Sequence, residues 1–247
     1  MRVIVLVVFC LLLWAPGAWS QIEPEQVGTA TLPEPGANWI AGITRNGAYI
    51  YDAVTGDMQG LISLSGYTSG FEVDRVRRQV YAPELYYSRG VHGERTDVVT
   101  VYDFDNLSPV AEIEVPQKIA VLRFRRHVGM LGDNRHFLVF NMTPAQSVTV
   151  VDVEDREFVG EISTPGCAMI MPVAERDFLM ICSDGTLQLI QLDEQGAEAN
   201  RERSKKIFEV LEDPIFDRPV PTASGWLVYT HSGKAFHVTV DGDDIEI

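Results

Sequence analysis

The chain repeats itself, and the repeat constrains the fold more than any other feature. Five segments align on an aspartate: AYIYDAVTGDMQGLISL on Asp52, VVTVYDFDNLSPVAEIEV on Asp103, SVTVVDVEDREFVGEIS on Asp152, LQLIQLDEQG on Asp193 and KAFHVTVDGDDIEI on Asp241. The aspartates stand 51, 49, 41 and 48 residues apart. Each follows an apolar run of period two and precedes a turn-forming stretch, usually with a second apolar strand beyond it. In the first three copies that strand ends in Ile62, Ile113 and Ile162. This is the pattern of a β-hairpin. An aspartate there can hydrogen-bond the backbone of its own turn, which explains its recurrence without chemistry.

A second register runs in step with the first. Phe137, Phe178 and Trp226 stand 15 residues before Asp152, Asp193 and Asp241, in the strand-like runs HFLVF, FLMIC and WLVYT. In the second unit the same strand comes earlier, at Gln79–Ala82, and Glu84–Thr96 (ELYYSRGVHGERT) reads as an insertion after it. Each unit therefore holds at least three strands in about 40–51 residues. That period, with several strands per unit, predicts an all-β chain: a β-propeller of four-stranded blades, with about four to five blades present. Only Glu198–Leu211 (EANRERSKKIFEVL) could form a few helical turns, and it reads mainly as a polar insertion within a blade. Asn38–Ile43 is the sole inner-strand candidate of the short first unit, and the chain stops at Ile245–Ile247 within an expected outer strand. A small closed ring and a propeller cut short at its carboxyl end both fit. The second is the preferred expectation, because no closing strand is visible at either end.

Lys plus Arg number 20 against 35 Asp plus Glu, a formal net charge of −15. So acidic a chain is a poor nucleic-acid binder, since phosphate contacts need clustered positive charge. No uninterrupted basic run exceeds two residues, and Phe124 interrupts Arg123–Arg126. At the amino end, Arg2 precedes an unbroken apolar run of eleven, Val3–Leu13, then Pro16, Gly17 and Ala18-Trp19-Ser20. Small residues at −3 and −1 suit signal peptidase, and eleven apolar residues are too few to cross roughly 30 Å of hydrocarbon. Residues 1–20 read as a secretory signal cleaved after Ser20, with an uncleaved anchor as the alternative, and residues 21–247 as the propeller domain. The expected mature chain is soluble, exported and without membrane contact. Cys10 leaves with the signal, and Cys167 and Cys182 remain as an even pair in an oxidising compartment. They read first as a single disulfide.

No phosphate-binding loop, hydrolase elbow or zinc motif is present. His92, His127, His136, His231 and His237 fall at unmatched positions in different units, which argues against a histidine metal set. Propeller glycosidases use paired carboxylates, but the recurring aspartates belong to peripheral turns rather than a central channel. Trp39 and Trp226 fall in expected strands and read as core. The most unusual stretch is ELYYSRGVHGERTD, which carries Tyr86, Tyr87, Arg89, His92, Arg95 and Asp97. Tyr and Arg on a projecting loop are the makings of an interface anchor. A loop packed on its own propeller, with Arg95 paired to Asp97, fits equally well.

RGVHGERTDVVTVYDFDNLSPVAEIEVP, residues 89–116, closely resembles the heavy subunit of quinoprotein amine dehydrogenases, the methylamine and aromatic amine dehydrogenases of bacterial periplasms. PGCAMIMPVAERDFLMICSDGTLQLIQLDEQG, residues 165–196, is a second specific match, and SGWLVYTHSGKAFHVTVDG, residues 224–242, a looser one. The resemblance implies a seven-bladed propeller and a disulfide between Cys167 and Cys182. It implies a small cysteine-rich light subunit as partner, two of each chain forming a heterotetramer. It implies that the light subunit carries the tryptophan tryptophylquinone and the catalytic base, leaving no cofactor in this chain. Oxidation of a primary amine to aldehyde and ammonia would follow, with electrons passed to a blue-copper protein or cytochrome. Pro33–Gly47 departs from the family's longer amino-terminal region, so no substrate-channel residue is carried over from it. Tyr67 and Phe71 stand as weak channel candidates. The alternative is a stand-alone exported propeller that binds without redox chemistry.

Overall fold

The computed structural model describes residues 31–45 and 47–247, so the expected signal lies outside the described residues. The described chain forms five antiparallel sheets, each a simple meander. The first has three strands, β1 (Trp39–Ile43), β2 (Ala48–Asp52) and β3 (Met58–Ile62). The second has four: β4 (Glu72–Asp74), β5 (Gln79–Tyr87), β6 (Arg95–Asp103) and β7 (Pro109–Val115). The third runs β8 (Val128–Met130), β9 (His136–Asn141), β10 (Ser147–Asp152) and β11 (Glu157–Ser163). The fourth runs β12 (Cys167–Pro172), β13 (Asp177–Cys182), β14 (Leu187–Leu192) and β15 (Glu198–Arg203). The fifth runs β16 (Val220–Pro221), β17 (Trp226–Tyr229), β18 (Ala235–Asp241) and β19 (Asp244–Glu246). The inner strands β4, β8 and β12 lie side by side, as do the outer strands β7 and β11. This is the blade arrangement of a β-propeller.

Four apolar clusters fill the gaps between successive blades. Ile50, Ile62, Val80 and Tyr102 join the first to the second, and Tyr81, Val99, Phe137 and Val139 the second to the third. Leu138, Phe140, Phe178 and Met180 join the third to the fourth, and Leu179, Leu189, Trp226 and Val238 the fourth to the fifth. Alternate residues of one strand thus serve two different cores: Phe137 and Val139 face one neighbour, Leu138 and Phe140 the other. A middle strand buried on both faces needs apolar residues at consecutive positions, hence runs such as HFLVF.

Four of the five recurring aspartates cap their outer hairpins, and Asp241 makes no such bond among the described residues. Asp52 Oδ1 accepts the N–H groups of Val54 (2.8 Å) and Thr55 (3.2 Å). Asp103 accepts those of Asp105 and Asn106, Asp152 those of Glu154 and Asp155, and Asp193 those of Gln195 and Ala197. Three of these turns end in a left-handed residue four positions on: Gly56 (φ 79°), Leu107 (φ 58°) and Arg156 (φ 57°). Beyond all four turns the outer strand carries an extra residue, so Gln59, Val110, Val159 and Ala199 bulge from the ladder. The bulge and the left-handed residue together give the hairpin its twist.

Two expectations are corrected. Glu198–Arg203 is neither helical nor an insertion; it is β15, the outermost strand of its blade, and only the residues after it form a loop. Glu84–Thr96 is not a loop bounded by strands, because β5 continues through Tyr87 and β6 begins at Arg95. Only residues 88–94 make the turn. The short first unit has three strands, with Trp39–Ile43 of the expected Asn38–Ile43 stretch as its innermost.

Candidate functional site

A meander puts its first-to-second and third-to-fourth turns at one end of the blade. The second-to-third turns share the other end with the connections to the next blade. The aspartate turns occupy the first end. The β5–β6 hairpin and the connections 63–71 and 116–127 occupy the second. All the candidate interface residues and Tyr67 therefore belong to one end of the second blade.

The structure divides those candidates. The Arg95 guanidinium donates to Asp97 through Nε (2.5 Å) and Nη2 (2.6 Å), and these hydrogen bonds to the carboxylate raise its pKa further. Asp97 is buried and also accepts the Ile119 N–H at 3.0 Å, which pins the 116–127 connection to β6. Both side chains are thus taken up internally. The Tyr87 ring meets Tyr67 edge-on, 5.6 Å between centroids. Tyr86 is 41% exposed and donates its hydroxyl to Glu84 at 3.1 Å. Burial, then the Glu84 charge, pushes its phenol up to about 12. Arg89 and His92 stand exposed at the hairpin tip around Val91, itself 73% exposed. Phe71 lies apart from this group and packs with Trp39 and Ile50 between the first two blades.

Residues that the sequence did not single out hold this end together. Glu84 is fully buried, and its carboxylate accepts the Ser65 N–H, the Tyr102 hydroxyl (2.8 Å) and the Tyr86 hydroxyl. The available signal was a glutamate inside the apolar strand QVYAPELYY. A short 3-10 turn, Arg125–His127, leads into β8 and buries His127 between Phe124 and Phe140, at 5.0 and 4.8 Å. Burial lowers the His127 pKa from 6.5 to about 4. The unfolded chain therefore binds that proton across the interval between those values, and the folded chain does not. Stability should fall as pH drops through it, by about 2 kcal/mol from pH 7.5 to 5. Urea melts should show this slope in the parent and its loss in His127→Phe; a flat parent profile would refute the assignment.

Cys167 and Cys182 face each other across β12 and β13 and are joined in a disulfide. Beside it opens a hollow of about 320 Å³, walled by Met169, Ile181, Phe208, Ile215 and Phe216. Met169 sits at a bulge of β12 with φ 67°, a strained conformation for a side chain of its size. Asp217 is the only titratable residue of the lining. Among the described residues no three His, Cys, Asp or Glu side chains gather as a metal set, and no helix is long and apolar enough to cross a membrane.

The model of the methylamine dehydrogenase heavy chain family matches residues 37–247. The chain belongs to that family. It is 30% identical over 163 residues to the methylamine dehydrogenase heavy chain of Methylobacillus flagellatus, a match covering 65% of this chain and 40% of the relative. Over 163 residues it is 28% identical to the heavy chain of Methylophilus methylotrophus, with the same coverage. The chain thus matches about two-fifths of the length of these heavy chains. Among solved structures it is similar to the dihydro-heme d1 dehydrogenase NirN in complex with DHE. That superposition has a TM-score of 0.57 at 17% identity and covers 90% of this chain and 46% of that one. BamB from Moraxella catarrhalis superposes with a TM-score of 0.50 at 11% identity, over 80% of this chain and 52% of that one. At those identities the likeness is one of fold alone.

Proposed function

We propose that this chain is the heavy subunit of a periplasmic amine dehydrogenase and works only with a light subunit. The family match over residues 37–247 carries the reading. In the reaction a primary ammonium and water become an aldehyde and ammonium, releasing two electrons and two protons. The light subunit would hold the tryptophan tryptophylquinone, and a blue-copper protein or cytochrome would accept the electrons. That cofactor joins two tryptophans of one chain, and the described tryptophans here do not fit it. Trp39 packs between the first two blades and Trp226 between the last two. The signal-like sequence of residues 1–20 and the disulfide support the periplasmic assignment.

The β5–β6 hairpin is the proposed contact for the light subunit. Its tip residues Arg89, Val91 and His92 are exposed, while the Arg95–Asp97 pair and the Glu84 network hold its base rigid. The purified chain should neither oxidise methylamine or phenethylamine nor show quinone absorbance. Co-expression with a light subunit from the same gene neighbourhood should give a two-by-two complex that reduces dye in the presence of amine. Changing Arg89, Val91 and His92 together to Ala should weaken assembly by about 1–2 kcal/mol and leave the melting of this chain unchanged. Amine-dependent dye reduction by the chain alone would sink the proposal. A chain that binds no light subunit would favour the stand-alone binding protein.

A further inference from the structure

Arg126 is the one arginine of the Arg123–Arg126 run whose charge meets no oxygen. Arg123 Nη2 donates to the backbone carbonyls of Arg45 (2.8 Å) and Gly66 (3.4 Å). Arg125 forms a fork-to-fork pair with Glu72, its Nη2 2.7 Å from Oε2. Arg126 makes no hydrogen bond or ion pair with any described residue, and its Nε is buried without a partner. Its guanidinium lies over the indole of Trp226, 4.5 Å from the ring centroid. Trp226 is itself held, donating its Nε1–H to Pro172 O at the end of β12 (2.9 Å).

The placement follows from the fold. Arg126 stands at the entry to β8, an inner strand, and Trp226 begins β17, two blades further on. Between them runs β12, the inner strand of the intervening blade, which also touches the Arg125–His127 turn. The side chain therefore reaches along the inner surface that the blades share. Arg218 stacks over Phe124, 5.2 Å from its centroid, and pairs with Asp217 at 2.7 Å. Four guanidinium groups, those of Arg123, Arg125, Arg126 and Arg218, thus share this region with two carboxylates, Glu72 and Asp217, each already paired. In a chain of net charge −15 this is a local surplus of positive charge.

A partly buried guanidinium with unused donors carries a desolvation cost that an oxyanion would offset. Stacking on an aromatic face fixes its plane and leaves the N–H edge free, the geometry that a carboxylate meets with two parallel hydrogen bonds. We propose that Arg126, stacked on Trp226, is a carboxylate-binding site on the inner surface of the blades. Burial, with Arg125 adding to it, lowers the Arg126 pKa to about 10, as expected for a cation that lacks its counter-charge. Glu72 and Asp217 make their ion pairs with Arg125 and Arg218, and Glu72 only partly offsets the lowering at Arg126, from beyond pairing distance. The carboxylate can come from a free small acid or from an acidic side chain of another polypeptide; the chemistry is the same, and experiment separates the sources.

Two probes suffice: sodium acetate, and a Gly-Glu-Gly peptide blocked at both ends. Each is titrated into the whole chain at constant ionic strength against chloride, following tryptophan fluorescence and thermal melting. At least one probe should saturate, with a fluorescence change that is absent in Trp226→Phe. Tm should rise by about 3 °C at ten times the half-saturating concentration. Arg126→Met should melt no lower than the parent without anion and should bind at least tenfold more weakly. Arg126→Lys, which keeps the charge but loses the fork, should bind at least threefold more weakly. Saturation by acetate assigns a small-acid site, and saturation by the peptide alone assigns a protein carboxylate. The proposal is overturned if neither probe saturates, or if Arg126→Met binds as the parent does.

Discussion

Replacing Glu84 by Ala is expected to cost about 3–4 kcal/mol of unfolding free energy, because it strands buried donors. Three donors converge on that carboxylate: the Ser65 N–H, the Tyr102 hydroxyl and the Tyr86 hydroxyl. Tyr86 is 41% exposed and can turn to water, so its loss is minor. The Tyr102 hydroxyl has a second acceptor, Ser63 O at 3.1 Å, and recovers part of its bond. The part-buried Ser65 N–H has no second acceptor among the described residues. Glu84→Gln keeps one acceptor oxygen and a similar volume, and should cost about half as much. Urea melts of both variants and of Tyr102→Phe measure these costs. The double variant Glu84→Ala/Tyr102→Phe should cost less than the sum of its parts, since one stranded donor is removed. Strict additivity would mean that the carboxylate and phenol do not act on each other. Glu84 also anchors the 63–71 connection, where Leu85 N–H bonds Tyr67 O at 3.1 Å. The Ala variant should therefore free the Tyr67–Tyr87 contact, which near-ultraviolet dichroism reports.

The blades were legible because the middle strands of the central blades are buried on both faces and four of the five outer turns use the same aspartate. Those requirements are local, so the sequence states them at every repeat. Asp74 and Asp133 do the same work in the inner turns, accepting the N–H groups of Val76 and Arg77 and of Arg135 and His136. They leave no repeat signal, because the first, fourth and fifth blades show no matching pair. β15 leaves none for a different reason. An outermost strand pairs with one neighbour only and has no second core to serve, so EANRER shows no apolar alternation. In β5 the polar content of ELYY suggested a loop, but Glu84 is polar because the interior of that blade end is polar.

The candidate site was legible only in part, and the dividing line is sequence distance. The Arg95–Asp97 pair spans two residues and was one of two open readings. The Tyr67–Tyr87 contact joins a connection to a strand 20 residues on and had no local signal. The same holds for Arg126 and Trp226, which are 100 positions apart. Trp226 does belong to the core between the fourth and fifth blades, as its place in a strand predicts. Its second face, which carries the guanidinium, is a property of the folded ring of blades alone.

Reducing the Cys167–Cys182 disulfide should lower stability by about 3 kcal/mol, the loop-closure value for a crosslink of this span. The two cysteines are 15 residues apart in sequence and directly opposed on β12 and β13. Both sulfurs sit in the core between the third and fourth blades, with Phe140, Ile170 and Met180. The crosslink and the packing can therefore be separated. Reduction with dithiothreitol removes the crosslink and leaves the volume nearly unchanged. Cys167→Ala with Cys182→Ala removes the crosslink and also opens a small cavity, so it should cost about 1 kcal/mol more than reduction. Cys167→Ser with Cys182→Ser places two hydroxyls in an apolar core and should cost more again. A loss well under 1 kcal/mol on reduction would mean that the unfolded chain already holds the two strands together. β12 also forms one wall of the inner surface, and the carbonyl of its Pro172 holds Trp226. Reduction should therefore increase the solvent exposure of Trp226, seen as a red shift of its emission, before the chain unfolds as a whole.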